Sequence, residues 1–383
     1  MTQNAAKANR RQKTGTAERI IAAAVGMTAL LVCIIFSDSV KSGISAGVQL
    51  CFGVLIPSLF LPMTLCAFMQ KSGVVSLIGR YIERFSRFCF NISGTALAAF
   101  ILGCISGYPS GAALARSLYD NGEIDLITAK RLCSVCVCAG PAFILLGVGD
   151  GLLNSRTAGR ILLCAHILSA FLLLFMSGLT AKIWHIKPKQ SNNRAKITER
   201  TAKSAIKSQK SAGFGISAAI TGAVQSGARS MLGICAYTVL FSAVISVFGA
   251  LLSGGALSVL TAACEVTNAC AYLANSHNIP MISAALGFSG FSVVAQVISA
   301  AGAVCDILRL ILYRILSAAF SFAICSLLLT FFPCPLAVQS GAPVAAFYIS
   351  SGTMTLSCLL TAAAAVFLYS LYQRTEPDLH DFF

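Results

Sequence analysis

Hydrophobic positions in this chain run in long unbroken blocks rather than in alternating pairs, and most blocks have the length of a membrane helix. A bilayer core requires about 20 predominantly apolar residues in helical form. Ile20 to Phe36 is the first block. It exceeds a usual signal-peptide core, and Ser37-Asp38-Ser39-Val40-Lys41 offers no small-x-small cleavage pattern, so residues 20–36 read as a first transmembrane helix. Residues 44–69 form the next block, interrupted by Pro57 and Pro62. These prolines predict a crossing helix preceded by a tilted or interfacial half. From Lys71 to Asn91 the pattern changes: Lys71, Arg80, Arg84 and Arg87 stand against Ile78, Tyr81, Phe85 and Phe88, the signature of a helix lying on the cytoplasmic surface. Three apolar segments follow, 93–115, 132–149 and 160–181. Residues 311–332 and 354–370 read as plain membrane helices joined by a loop holding Pro333, Pro335, Gly341 and Pro343.

Within these blocks four stretches interrupt the helical pattern. Gly103-Cys104-Ile105-Ser106-Gly107-Tyr108-Pro109-Ser110-Gly111 places three glycines and a proline in the middle of an apolar segment. The others are Cys138 to Phe143, with Gly140-Pro141; Cys264-Glu265-Val266-Thr267-Asn268; and Phe288 to Val293, with Gly290. In hydrocarbon an unpaired backbone group costs several kcal/mol, so a broken helix persists at that depth only inside protein or beside a wet cavity. The expected structural breaks are therefore Gly107, Pro109, Gly140, Pro141 and Gly290.

Composition fixes the class. The chain has 383 residues, 57% hydrophobic and 11% charged, against roughly a quarter charged in soluble domains. The formal net charge of +15 does not form a basic face for nucleic acid, because it is gathered in short connections. Five basic residues precede the first block (Lys7, Arg10, Arg11, Lys13 and Arg19), and nine more lie between Lys182 and Lys210. By the positive-inside rule both segments are cytoplasmic. Three full crossings between Lys71–Asn91 and Lys182 would put the second cluster outside. One of the segments interrupted by Gly and Pro, 93–115 or 132–149, is therefore expected to enter and leave on the same side.

The second half repeats the layout of the first. Ile44-Ser45-Ala46-Gly47-Val48-Gln49 is echoed by Ile220-Thr221-Gly222-Ala223-Val224-Gln225. Each copy is followed by a long apolar helix, two interrupted segments and another helix. An odd number of net crossings per unit would insert the second unit upside down, the inverted-repeat plan of many secondary transporters. The expectation is an all-α polytopic membrane protein with about eight crossings, two re-entrant segments and both termini cytoplasmic. Its parts are a basic tail (1–19), the first helix (20–36), a first repeat (41–181), a basic cytoplasmic linker (182–213), a second repeat (214–332), and a final helix with a polar tail (333–383).

Between Arg229 and Asp306 the only charged side chain is Glu265. A carboxylate near the bilayer centre costs about 3 kcal/mol even on insertion scales, so it should face a cavity or a partner. It reads either as a ligand for a solute or coupling ion, with Thr267 and Asn268 adding oxygens, or as a protonated Glu bonded between helices. Ser106, Tyr108 and Ser110 offer hydroxyls beside Pro109. The alternative there is a tight helix crossing on Gly103, Gly107 and Gly111. Gln49, Gln225 and Gln296 suit interhelical hydrogen bonds. Cys133, Cys136 and Cys138 lack the second ligand pair of a structural zinc site, and His166 and His277 have no visible catalytic partner. No metal, cofactor or enzymatic activity is expected.

Four motifs resemble one known family: Ser106 to Ala112, Ala139-Gly140-Pro141-Ala142-Phe143, Glu265 to Asn268, and Gly287 to Val293 with Gln296. Their order is similar to that of the YlbJ-type sporulation integral membrane proteins, which carry the nucleoside-recognition Gate domain. The chain differs from family members at Ala113, where they typically carry Lys, and at Val137-Cys138, where they carry an Asn pair. The resemblance implies a multi-pass cell-membrane protein of endospore formation. Within that frame two roles compete. One is binding or transport of a small polar solute, nucleoside-like or an ion, at Ser106, Tyr108, Ser110, Glu265, Thr267 and Asn268. The other is a non-transporting scaffold whose basic linker recruits anionic lipid or spore-envelope proteins.

Overall fold

The computed structural model describes residues 19, 21, 23–183, 216–276 and 278–334. The basic clusters before residue 19 and after Lys182, His277, and the expected final helix at 354–370 lie outside the described residues. Among the described residues the chain is helical, with no strand.

Helix α1 (Ala23–Ile35) leads into α2 (Ser37–Leu50), a π-helical turn (Cys51–Leu55) and α3 (Ile56–Lys71). Pro57 and Pro62 were expected to split this segment, yet α2 to α3 form one long span. Pro62 lies inside α3, and the π turn explains how Pro57 is accommodated. Pro57 falls in the first turn of α3, just beyond it, and the wider turn relieves the clash a proline makes with the carbonyl four residues back.

The amphipathic α4 (Val74–Phe90) meets α5 (Gly94–Ser106) at 90°. Its inner side is Val75, Gly79, Ser86 and Phe90. Tyr81, Phe85 and Phe88 face outward beside Arg80, Arg84 and Arg87. A helix turned sideways with arginines and aromatic rings on one exposed face fits a bilayer surface.

Next come α6 (Ser110–Asp120), α7 (Leu126–Val135), a π-helical segment (Phe143–Leu152) and α8 (Arg156–Ile183). The second half holds α9 (Ile216–Gly249), α10 (Gly255–Cys264), α11 (Val266–Ala274), α12 (Ile279–Phe288), α13 (Gly290–Ala301) and α14 (Ile307–Phe331). The order long helix, interrupted segment, interrupted segment, long helix thus occurs twice.

Contacts between the halves pair long helices side by side. Gly47 packs on Val239 and Ser242, whereas Gly227 packs on Thr64, so α2–α3 and α9 run antiparallel. Ser169 donates to the Ser317 carbonyl while Ser155 contacts Cys334, so α8 and α14 are antiparallel too. Small residues set both seams, as expected where helices associate by close packing rather than by escape from water.

Five of these helical stretches are long and apolar enough to cross a membrane: 37–71, 156–183, 217–249, 279–304 and 307–331. Counting the bent α4–α5 pair as one span gives a sixth.

Candidate functional site

Each interruption is made differently, and all four lie close together. At the first, Ser106 ends α5, Gly107 takes φ 84°, and α6 restarts after Pro109. Gly103 and Gly111 lie against one another: a Cβ on Gly103 would stand 2.9 Å from the Gly111 Cα. In a straight helix these residues would be about 12 Å apart, so the chain folds back. The second interruption, Cys136 to Gly140, approaches the first, with Gly107 and Gly140 backbone to backbone.

In the second half, Glu265 is a single extended residue (φ −151°, ψ 127°) between α10 and α11. Its carboxylate caps α11, accepting from the Asn268 backbone N–H (2.7 Å) and from Asn268 Nδ2 (2.9 Å). The side chain that looked like the chemistry of this stretch is therefore also what restarts its helix, since an N-cap acceptor satisfies amides that have no helical partner. Gly290 (φ 79°) stands against this break, and any Cβ there would sit 3.0 Å from the Cys264 carbonyl oxygen.

Near the breaks, Tyr108 and Arg314 add side-chain bonds between the halves. Tyr108 Oη donates to the Leu286 carbonyl at 2.9 Å, near the end of α12. Arg314, only 1% exposed on α14, donates to the carbonyls of Val137, Ser134 (3.1 Å) and Gly287 (3.4 Å). It answers carbonyls released where α7 and α12 end. His166 performs a related task, its Nε2 accepting from the Ala139 N–H at 2.9 Å. By sequence alone 311–332 reads as a plain membrane helix and His166 as an isolated residue. A charged residue inside a membrane helix was the available signal for Arg314; nothing in the local sequence marked His166.

Between the breaks lies one cavity of about 20 Å³. Its surface is mainly apolar, from residues such as Leu55, Leu59, Phe143, Ile234, Val266 and Val293, and Tyr108, Gly140, Thr238, Glu265, Thr267 and Gln296 also border it. Of the six expected site residues, Tyr108, Glu265 and Thr267 line it. Ser106 and Ser110 bond to each other, and Ser110 donates to the Gly107 carbonyl, so their hydroxyls are used within the turn. Asn268 is held by Glu265 and by Ser242 Oγ at 2.8 Å. Gln296, expected only as an interhelical bond, contributes to the lining. Its Nε2 donates to Ser292 Oγ (3.2 Å), while its Oε1 is buried without a partner among the described residues. Gln49 is exposed and Gln225 half-buried, both away from the cavity lining.

Comparison with known proteins agrees with the motifs. The sporulation integral membrane protein YlbJ of Bacillus subtilis strain 168 is 28% identical over 293 residues, which cover 68% of this chain and 69% of that relative. The similarity supports the YlbJ-type family. No family model matches the chain, and no solved structure matches it. An integral membrane relative and several long apolar helices together make this a multi-pass membrane protein.

Proposed function

We propose that this protein serves endospore formation by binding or transporting a small polar solute at its broken helices. The observation that carries the reading is the shared cavity: Tyr108 from the first half meets Glu265, Thr267 and Gln296 from the second. Buried polar groups from separate helices, collected where the backbone is interrupted, are how transporters build midplane sites. The antiparallel pairing of α2–α3 with α9 and of α8 with α14 supports two halves of opposite orientation. Rocking one half against the other would open the site alternately to each side, with both termini cytoplasmic.

Cavity size constrains the resting form. About 20 Å³ is room for roughly one water molecule, so a nucleoside-like solute would enter only after the halves part. The test is uptake by proteoliposomes of the full chain, screened over nucleosides, amino acids and inorganic ions. Uptake that falls at least tenfold in Tyr108→Phe and Thr267→Val supports the reading. Silence across the screen, with normal spore solute content in a deletion strain, would overturn it.

A further inference from the structure

We propose that α4 is a docking surface for anionic phospholipid, with Arg80 and Arg84 taking the headgroup phosphate. Any amphipathic helix can rest on a bilayer; what α4 adds is selection of the headgroup by its charge. The proposal is independent of the cavity.

The corner that holds α4 is built from several bonds. Glu83 accepts from the Gly94 N–H at 2.6 Å, at the start of α5, and Ser86 Oγ stands 3.0 Å from the carbonyls of Ile92 and Ser93. Gly79 lies against the Thr95 backbone, too close to admit a Cβ. These contacts fix α4 at 90° to α5. Both ends of α4 lie where long helices end. Its start follows Lys71, the last residue of α3. Near its other end, Lys182 in the last turn of α8 donates to the Phe88 carbonyl at 2.6 Å and lies 5.7 Å from the centre of the Phe88 ring. The helix therefore runs at the level where lipid headgroups begin.

The outer surface of α4 divides into two stripes. Arg80, Arg84 and Arg87 follow one another at spacings of four and three, so they share one ridge. Leu77, Tyr81, Phe85 and Phe88 form the adjoining ridge, with Tyr81 84% and Phe88 79% exposed. Neighbouring stripes of this kind put rings at the acyl boundary while guanidinium groups stay among the headgroups.

Charge selects the lipid. Arg87 is paired with Glu83 at 2.6 Å, and Glu123 reaches the helix at Ser76 Oγ (3.0 Å). Among the described residues Arg80 and Arg84 form no ion pair or hydrogen bond, and a spacing of four residues sets them about 6 Å apart along the helix. Arg80, Arg84, Arg87 and Lys182 thus outnumber Glu83 and Glu123 on this helix. Guanidinium groups bind phosphate oxygens in a bidentate manner, and each basic residue near an anionic leaflet contributes about 1 kcal/mol. A zwitterionic headgroup carries no net charge to answer the excess.

The experiment is thermal unfolding of the purified full chain in neutral detergent, titrated with dioleoyl phosphatidylglycerol or with dioleoyl phosphatidylcholine. The expected result is a saturable rise in midpoint with the anionic lipid, little with the zwitterionic one, and a weaker response at high salt, where exposed charges are screened. Arg80→Gln combined with Arg84→Gln should weaken the apparent affinity for phosphatidylglycerol about tenfold or more. Both side chains are exposed, so the midpoint in phosphatidylcholine should not change; should it fall, Arg84→Gln alone decides, with an expected loss of about fivefold. Removing the same charge from the linker, by Lys207→Gln with Lys210→Gln, should leave the lipid response near that of the unaltered chain. Equal rises with the two lipids, an unchanged response in the arginine variants, or an equal loss in the linker variant would each overturn the proposal. Stabilisation of the same size by inorganic phosphate or by polyglutamate would overturn it too, assigning the face to a soluble anion or an acidic protein.

Discussion

The break at Gly107 to Pro109 and the break at Glu265 do the same thing to a membrane helix by opposite means. In the first, the backbone turns at a glycine with φ 84° and a proline, and the two serines close the turn by bonding to one another. In the second, one carboxylate ends one helix and starts the next. The first is a packed wall that brings Tyr108 to the edge of the cavity, whereas the second brings Glu265 and Thr267 there. A glycine break is electrically quiet and tolerates close packing; a carboxylate break brings a charge into lipid that something must compensate. Among the described residues the lone buried carboxylate therefore lies in the second half although the first has the more conspicuous sequence.

The comparison can be broken most severely at the residue that joins both sides. Arg314→Met leaves carbonyls of Ser134, Val137 and Gly287 without their donor, and at about 1–3 kcal/mol for each buried group left unsatisfied it should cost several kcal/mol. Unfolding by denaturing detergent would read this, and a loss below about 1 kcal/mol would show that water replaces the guanidinium.

Gly290→Ala places a Cβ 3.0 Å from the Cys264 carbonyl at a positive φ, so a loss of about 1–3 kcal/mol is expected from strain of this kind. The same assay on Gly107→Ala, where the nearest atom is the Gly140 nitrogen at 3.1 Å, should give a similar loss. A large difference between them would mean that one break is more plastic than the other.

Tyr108→Phe removes one bond between the halves, to the Leu286 carbonyl, and should cost about 1 kcal/mol in the same unfolding measurement. Smallest is Ser110→Ala, which removes bonds confined to the turn. About 0.5–1 kcal/mol of stability and unchanged uptake are expected. If Ser110→Ala stopped uptake while Thr267→Val did not, the assignment of wall and chemistry would be reversed.

The residue pattern alone determined the solvent this protein folds in. Apolar blocks of membrane length, a scarcity of charge and basic clusters on the connections follow from the cost of burying unpaired polar groups in lipid. That cost acts locally, so it is written locally. The same logic exposed all four interruptions, because glycine, proline and a lone carboxylate stand out against a hydrophobic background.

What each interruption does depended on neighbours distant in sequence. Ser106 and Ser110 carry the same kind of hydroxyl as Thr267, yet theirs close a turn whereas that of Thr267 bonds to Glu265 beside the cavity. Arg314 looked like one polar residue in a plain helix until its partners proved to be carbonyls some 180 positions away. Pro57 read as a break until a π turn absorbed it. Packing of the two halves decides which polar groups satisfy one another and which are left facing a shared space, and no local stretch of sequence carries that information.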